Sequence, residues 1–80
     1  VNAEQLREVV TDTELSPYAR LIWVHLNTAA EPQNSNSLVE ELGFSRATVS
    51  RSVGALRGLG LVRRHNGVWR PETGRRPSWT

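Results

Sequence analysis

Cysteine is absent from the 80-residue sequence, which excludes a disulfide framework and any thiolate metal site. Two histidines, His25 and His65, are too few for a closed structural zinc site without several carboxylates. Long apolar runs are missing as well. The longest, Leu21-Ile22-Trp23-Val24, has four residues, against the roughly 20 that a membrane-spanning helix needs. The first residues are neither a basic stretch followed by an apolar one nor an Arg-rich segment, so no secretion signal or transit peptide is read there. A chain of this length has room for one core, and the expectation is a single cytoplasmic domain. A start at Val1 fits a chain left whole after loss of Met and fits equally a piece of a larger protein.

The residue sets that carry catalysis are missing too. No Gly-rich phosphate loop, Ser-His-Asp set or metal-ligand spacing is present. Glu40 and Glu41 are adjacent, so they project to different sides of a helix and form no acid/base pair. So short a chain also gives little depth for an enclosed pocket. Neither an enzyme, nor a cofactor, nor a metal, nor a small-molecule ligand is expected.

Lysine is the last absence: all ten cations are Arg. Arginine makes bidentate contacts to phosphates and guanines, but GC-rich codon usage explains the choice more simply. The placement of charge is harder to dismiss. Residues 1–42 carry two Arg against seven acids, a net of −5, whereas residues 43–80 carry eight Arg against Glu72 alone, a net of +7. A basic half beside an acidic half suits a polyanionic partner.

The pattern predicts a short helix at about 3–10, capped by Asn2, with Leu6, Val9 and Val10 on one side. Ser16-Pro17 is a hydroxyl cap followed by proline at the first helical position, and opens a helix at 17–30. Tyr18, Leu21, Ile22, His25, Leu26 and Ala29 are read as its buried stripe, with Trp23 and Val24 off it. Ser37 to Glu40 fits a capping box for a helix at 38–42, ended by Gly43. Ser45 caps a helix at 46–59, whose inner stripe is Val49, Val53 and Leu56 and whose stop is Gly60. Asn66-Gly67 between two strand-like runs predicts a type I′ hairpin over 61–70. It pairs His65 with Val68, Arg64 with Trp69 and Arg63 with Arg70. Residues 71–80 read as a basic tail holding Arg75 and Arg76. The fold class is therefore mainly α with a small β-hairpin.

Three short runs then stand in a telling order: Leu42-Gly43-Phe44-Ser45, Thr48-Val49-Ser50-Arg51, and Leu56 to Gly60-Leu61-Val62. With the hairpin behind them they resemble the winged helix-turn-helix of bacterial transcription regulators such as the MarR, GntR and IclR families, over about residues 16–70. The resemblance implies a three-helix core plus a wing, with the helix at 3–10 as an addition. It implies sequence-specific binding of double-stranded DNA, homodimerisation and a place on the nucleoid. A replication, partition or phage/plasmid control protein is an alternative, and a winged helix serving protein contacts is another, although that last use fits an acidic or apolar surface better than a basic one.

In such a domain the helix at 46–59 enters the major groove. The side opposite its inner stripe holds Ala47, Arg51, Gly54 and Gly58, flanked by Thr48, Ser50 and Ala55. Arg51 is the candidate reader of guanine, Gly54 lets the backbone approach, and Ser45, Arg46 and Thr48 serve phosphates. Close packing on another helix is the competing reason for Gly54. Arg63, Arg64, His65, Asn66 and Arg70 form the candidate wing contacts, with a solvated tip and Arg64 stacked on Trp69 as the alternative. Ser35 and Ser37 are further candidates at the preceding helix N-terminus. Leu6, Val9, Val10 and Trp23 form a candidate dimer patch, unless the first helix covers Trp23 within one chain. His25 reads as a packed core histidine.

Overall fold

Six segments of the sequence take regular structure in the computed structural model, which describes residues 3–72: α1 (Ala3–Val10), α2 (Pro17–Thr28), α3 (Ser35–Leu42), α4 (Arg46–Gly58), β1 (Val62–His65) and β2 (Val68–Pro71). Asn2 and the tail arginines Arg75 and Arg76 lie outside the described residues. Helix α4 packs on α2 and α3, α1 packs on α2, and the hairpin closes over the α2–α4 pair.

Local chemistry explains most of the element ends. Ser16 Oγ accepts the Ala19 N–H at 3.1 Å, and Pro17 sits where its missing N–H is harmless. Gly43, at φ +71°, closes α3 with its N–H on the Val39 carbonyl, a conformation a side chain would strain. Past α4, Gly60 donates to the Arg57 carbonyl at 3.0 Å and Leu61 to the Leu56 carbonyl at 2.9 Å. Those two bonds make a Schellman motif, and its apolar pair, Leu56 and Leu61, is buried. Arg20 reaches the Val10 carbonyl at 3.1 Å and the Leu15 carbonyl at 3.0 Å, setting a cation on the C-terminal end of α1.

The hairpin has the expected register, Arg63 opposite Arg70, Arg64 opposite Trp69 and His65 opposite Val68, with Asn66 and Gly67 both at positive φ. It begins and ends one residue later than the 61–70 reading, since Pro71 pairs with Val62. The outer side of β2 meets Gln33, whose carbonyl accepts the Trp69 N–H at 2.7 Å.

Three expectations are corrected. Helix α3 starts at Ser35, not at 38, because Asn34 is the cap: its Oδ1 accepts the Ser37 N–H at 2.8 Å, and Ser37 Oγ accepts the Asn34 N–H at 2.9 Å. Ser37 is the third residue of a capping box that begins three positions earlier than expected. Second, α2 buries Ala19, Ile22, Trp23 and Leu26, while Tyr18 and Leu21 are half exposed. The buried arc is turned toward the hairpin, which the helix pattern alone does not reveal. Third, Trp23 and Val9 are fully buried in the chain's own core, so the dimer patch drawn through Leu6, Val9, Val10 and Trp23 does not exist as a surface. Leu6 is half buried, and only Val10 stays exposed.

Trp23 explains how the hairpin is held. Its indole N–H is a lone donor that needs a partner once buried. It donates to the Leu61 carbonyl at 3.0 Å and lies 3.3 Å from that of Glu72. The Glu72 N–H bonds the same Leu61 carbonyl at 2.7 Å. Both feet of the hairpin thus meet on one side chain of α2. His25, at the rim of the core, has Nε2 3.3 Å from Glu41 Oε1 on α3, though not aligned as a hydrogen bond.

Candidate nucleic-acid interface

The basic half of the sequence supplies α4 and the hairpin, and a groove of about 410 Å³ runs between them. Ser35 closes one end. Arg46, Ser50, Val53, Gly54 and Arg57 line the α4 wall, and Arg64 and Trp69 line the hairpin wall. Three of these residues are arginines and none is an acid. With no carboxylate in the lining, the cations reinforce one another's field toward an approaching anion.

Two of the three groove cations are held in place. The Arg46 guanidinium donates to Asn36 Oδ1 at 2.7 Å, which fixes its stem across the α3–α4 turn and leaves its other N–H groups free to donate. The Arg64 guanidinium lies 5.6 Å from the centre of the Trp69 ring, a cation–π arrangement. Trp69 is itself anchored, its indole N–H donating to Ser35 Oγ at 3.3 Å and its backbone N–H to Gln33. Anchored cations lose less side-chain entropy when they bind a ligand than free ones do.

The structure separates residues that the sequence reading had grouped. Arg64 shares a hairpin face with Trp69 and turns to α4, whereas Arg63, His65 and Arg70 line a shallow groove on the other face with Glu72. Arg63 and Arg70, directly opposed, therefore have a carboxylate among their neighbours. Asn66 is exposed at the hairpin tip. On α4, Ala47, Arg51 and Gly54 are exposed on the side away from the core. Arg51 and Thr48 line a second groove, with Ser16 and Tyr18, on the opposite flank from Arg46, Ser50 and Arg57. Ser45 is engaged as the α4 cap, accepting from the Thr48 N–H and donating to Thr48 Oγ1 at 2.8 Å. Ser37 is likewise committed to its own capping box and to Gln33 Oε1, at 2.9 Å.

The competing account of Gly54 fails. A β-carbon built there meets nothing within 4 Å, so no neighbouring helix demands glycine. Comparison with family models, curated proteins and solved structures finds no match to this chain.

Arg57 lines the groove, and Asn36 holds Arg46 beside it, without either having been singled out in the sequence, whereas the Arg64–Trp69 stack is the one the sequence offered as an alternative. For Arg57 a signal was present: Arg46, Ser50, Val53 and Arg57 follow i, i+4, i+7 and i+11 spacing and form one ridge. That ridge flanks the core, and attention to the side opposite the core misses it. Asn36 depends on how α3 docks on α4, which no local pattern encodes. Among the described residues, no helix is long and apolar enough to cross a membrane, and no three His, Cys, Asp or Glu gather where a metal could sit.

Proposed function

We propose that this chain is a winged helix-turn-helix domain that binds double-stranded DNA in a sequence-specific manner and acts in transcriptional regulation. In this reading α3 and α4 are the helix pair, joined by the three residues Gly43-Phe44-Ser45, and the hairpin is the wing. Helix α4 enters the major groove, which is wide enough to admit a helix. Ala47 and Gly54 keep its leading side low, and Arg51 projects from that side to guanine O6 and N7. Arg46, Arg57 and Arg64 hold the flanking phosphates, which positions the helix without reading sequence. Arg63, His65 and Arg70 lie on the far side of the wing and serve the next stretch of backbone.

The observation that carries the proposal is the acid-free groove in which arginines from α4 and from the wing converge beside an exposed α4 glycine. The test is fluorescence anisotropy with a labelled duplex selected from a random pool. Wild type is compared with a variant carrying Arg46→Gln, Arg57→Gln and Arg64→Gln. Loss of at least tenfold in affinity on all duplexes is expected, with the melting temperature retained. Equal affinity in the two proteins ends this assignment of the interface. The homodimer expected of such regulators is read separately, by sedimentation velocity with and without a palindromic duplex.

A further inference from the structure

Helix α4 has two unlike flanks. On the wing side the groove holds three arginines and no acid. On the other side a groove of about 370 Å³ takes Glu14 and Ser16 from the segment between α1 and α2, Tyr18 from α2, and Thr48, Arg51 and Ala55 from α4. A carboxylate therefore sits in the same groove as the candidate reader of guanine. We propose that Glu14 is a second specificity-determining residue, which accepts a hydrogen bond from the N4 amino group of a cytosine beside the guanine taken by Arg51. This rests on the proposed seating of α4 in the major groove and adds a base preference to it.

The backbone under Glu14 is fixed, although the residue itself is exposed. Its N–H donates to Asp12 Oδ1 at 3.0 Å, and the next N–H, that of Leu15, bonds the Asp12 carbonyl at 3.1 Å. The Leu15 side chain is buried in the core, and Ser16 caps α2. Helix α2 packs on α4, so whatever seats α4 on a duplex carries Glu14 with it. Along α4, Thr48 and Ala55 lie about one turn to either side of Arg51. Both are small and leave base edges room to approach this flank. The Tyr18 ring, set edge-on to Phe44 at 5.0 Å and 86°, is a fixed part of the same lining.

An ionised carboxylate only accepts hydrogen bonds, and phosphates repel it. In the major groove the donors are the amino groups of cytosine and adenine, whereas guanine and thymine show acceptors. Adenine sets its amino group beside the N7 acceptor. Cytosine alone shows a donor with no acceptor on its own edge. Glu14 therefore selects cytosine and penalises thymine and guanine, against which its charge stays unpaired. Arg51 makes the opposite demand, since its guanidinium donates to guanine O6 and N7. One flank with both groups suits two neighbouring base pairs, one read at an acceptor edge and one at a donor. The wing flank, with no acid, takes the backbone.

The experiment selects duplexes from a random pool with the wild-type chain, then measures anisotropy on single-base variants of the selected site. Wild type is expected to prefer cytosine over thymine by about tenfold or more at one position beside a guanine. Glu14→Gln and Glu14→Ala weaken the cytosine duplex and strengthen the thymine duplex, so the preference falls below about threefold. The guanine preference stays, and so does the melting temperature, because the Glu14 side chain is exposed. Arg51→Ala gives the reverse, losing guanine and keeping cytosine. The opposite signs on two duplexes are what a general charge effect lacks, since that moves every duplex the same way. A uniform change in affinity, an unchanged cytosine preference, or a selected site with no cytosine beside the guanine overturns the role of Glu14 and leaves the DNA reading standing. A chain that enriches no duplex at any salt overturns both.

Discussion

At the scale of single residues, Gly54 separates stability from recognition. Glycine inside a helix is about 1 kcal/mol worse than alanine, and nothing in the fold fills the space beside it. Gly54→Ala is therefore expected to raise stability by about 1 kcal/mol, or about 4–8 °C in melting temperature for a domain of this size. If α4 seats its backbone against base edges, the same methyl lowers duplex affinity. Thermal melts and anisotropy on one sample read both effects. A stabilised variant with unchanged affinity places the DNA elsewhere. Arg51 and Arg57 make a second pair of opposites. Arg51→Ala should erase about 1–3 kcal/mol of preference at one base position. Arg57→Ala should weaken every duplex alike and lower the salt slope by about one. Competition with single-base operator variants distinguishes the two patterns, and a swap of the outcomes reverses the roles given to the two flanks of α4.

At the scale of elements, the hairpin depends on Trp23. Removing the indole N–H leaves the Leu61 and Glu72 carbonyls without that donor inside the core, and the smaller ring leaves a void. Trp23→Phe is expected to cost about 2 kcal/mol or more, read by urea unfolding. Faster amide exchange should appear first at Trp69, whose N–H ties the outer side of β2 to Gln33, and at Glu72, whose N–H joins the two feet of the hairpin. Elements whose signals are purely local were legible from the sequence. Ser16-Pro17 sets the start of α2, Asn66-Gly67 sets the turn and register of the hairpin, and Gly43 and Gly60 mark the ends of α3 and α4. Elements decided by docking were not. Asn34 and Ser37 are both good caps, and Asn34 wins with Gln33 buried beside it and Ser37 Oγ bonded to Gln33 Oε1. The buried face of α2 is not legible locally, because Tyr18, Leu21 and His25 continue a plausible stripe, while Trp23 finds its partners 38 and 49 residues away. The candidate site divides in the same way. The cations were visible, but their sorting onto two grooves and two hairpin faces required the packing of α3 and β2 against α4.

At the scale of the whole molecule, shape and charge together set what one copy can do on DNA. The described residues measure 32 × 24 × 20 Å, so this part of one copy spans about one turn of duplex. Half-sites one turn apart, about 34 Å centre to centre, each need their own copy. Within one copy, Arg46, Arg57 and Arg64 form the acid-free groove, and Arg63 and Arg70 add two cations on the far hairpin face. Neutralising Z phosphates makes log affinity fall against log salt with a slope of about −0.9Z. Three to five such contacts give a slope of about −3 to −4.5 per copy, or about a 40- to 500-fold loss of affinity between 50 and 200 mM salt. Arg63→Gln with Arg70→Gln should flatten the slope toward the value of the groove alone, whereas Arg51→Ala should leave it nearly unchanged, because a base contact releases no condensed counterion. Isothermal titrations at four salt concentrations measure all three slopes. A wild-type slope near zero means that the arginines do not meet a polyanion, and the acid-free groove then has no DNA to bind.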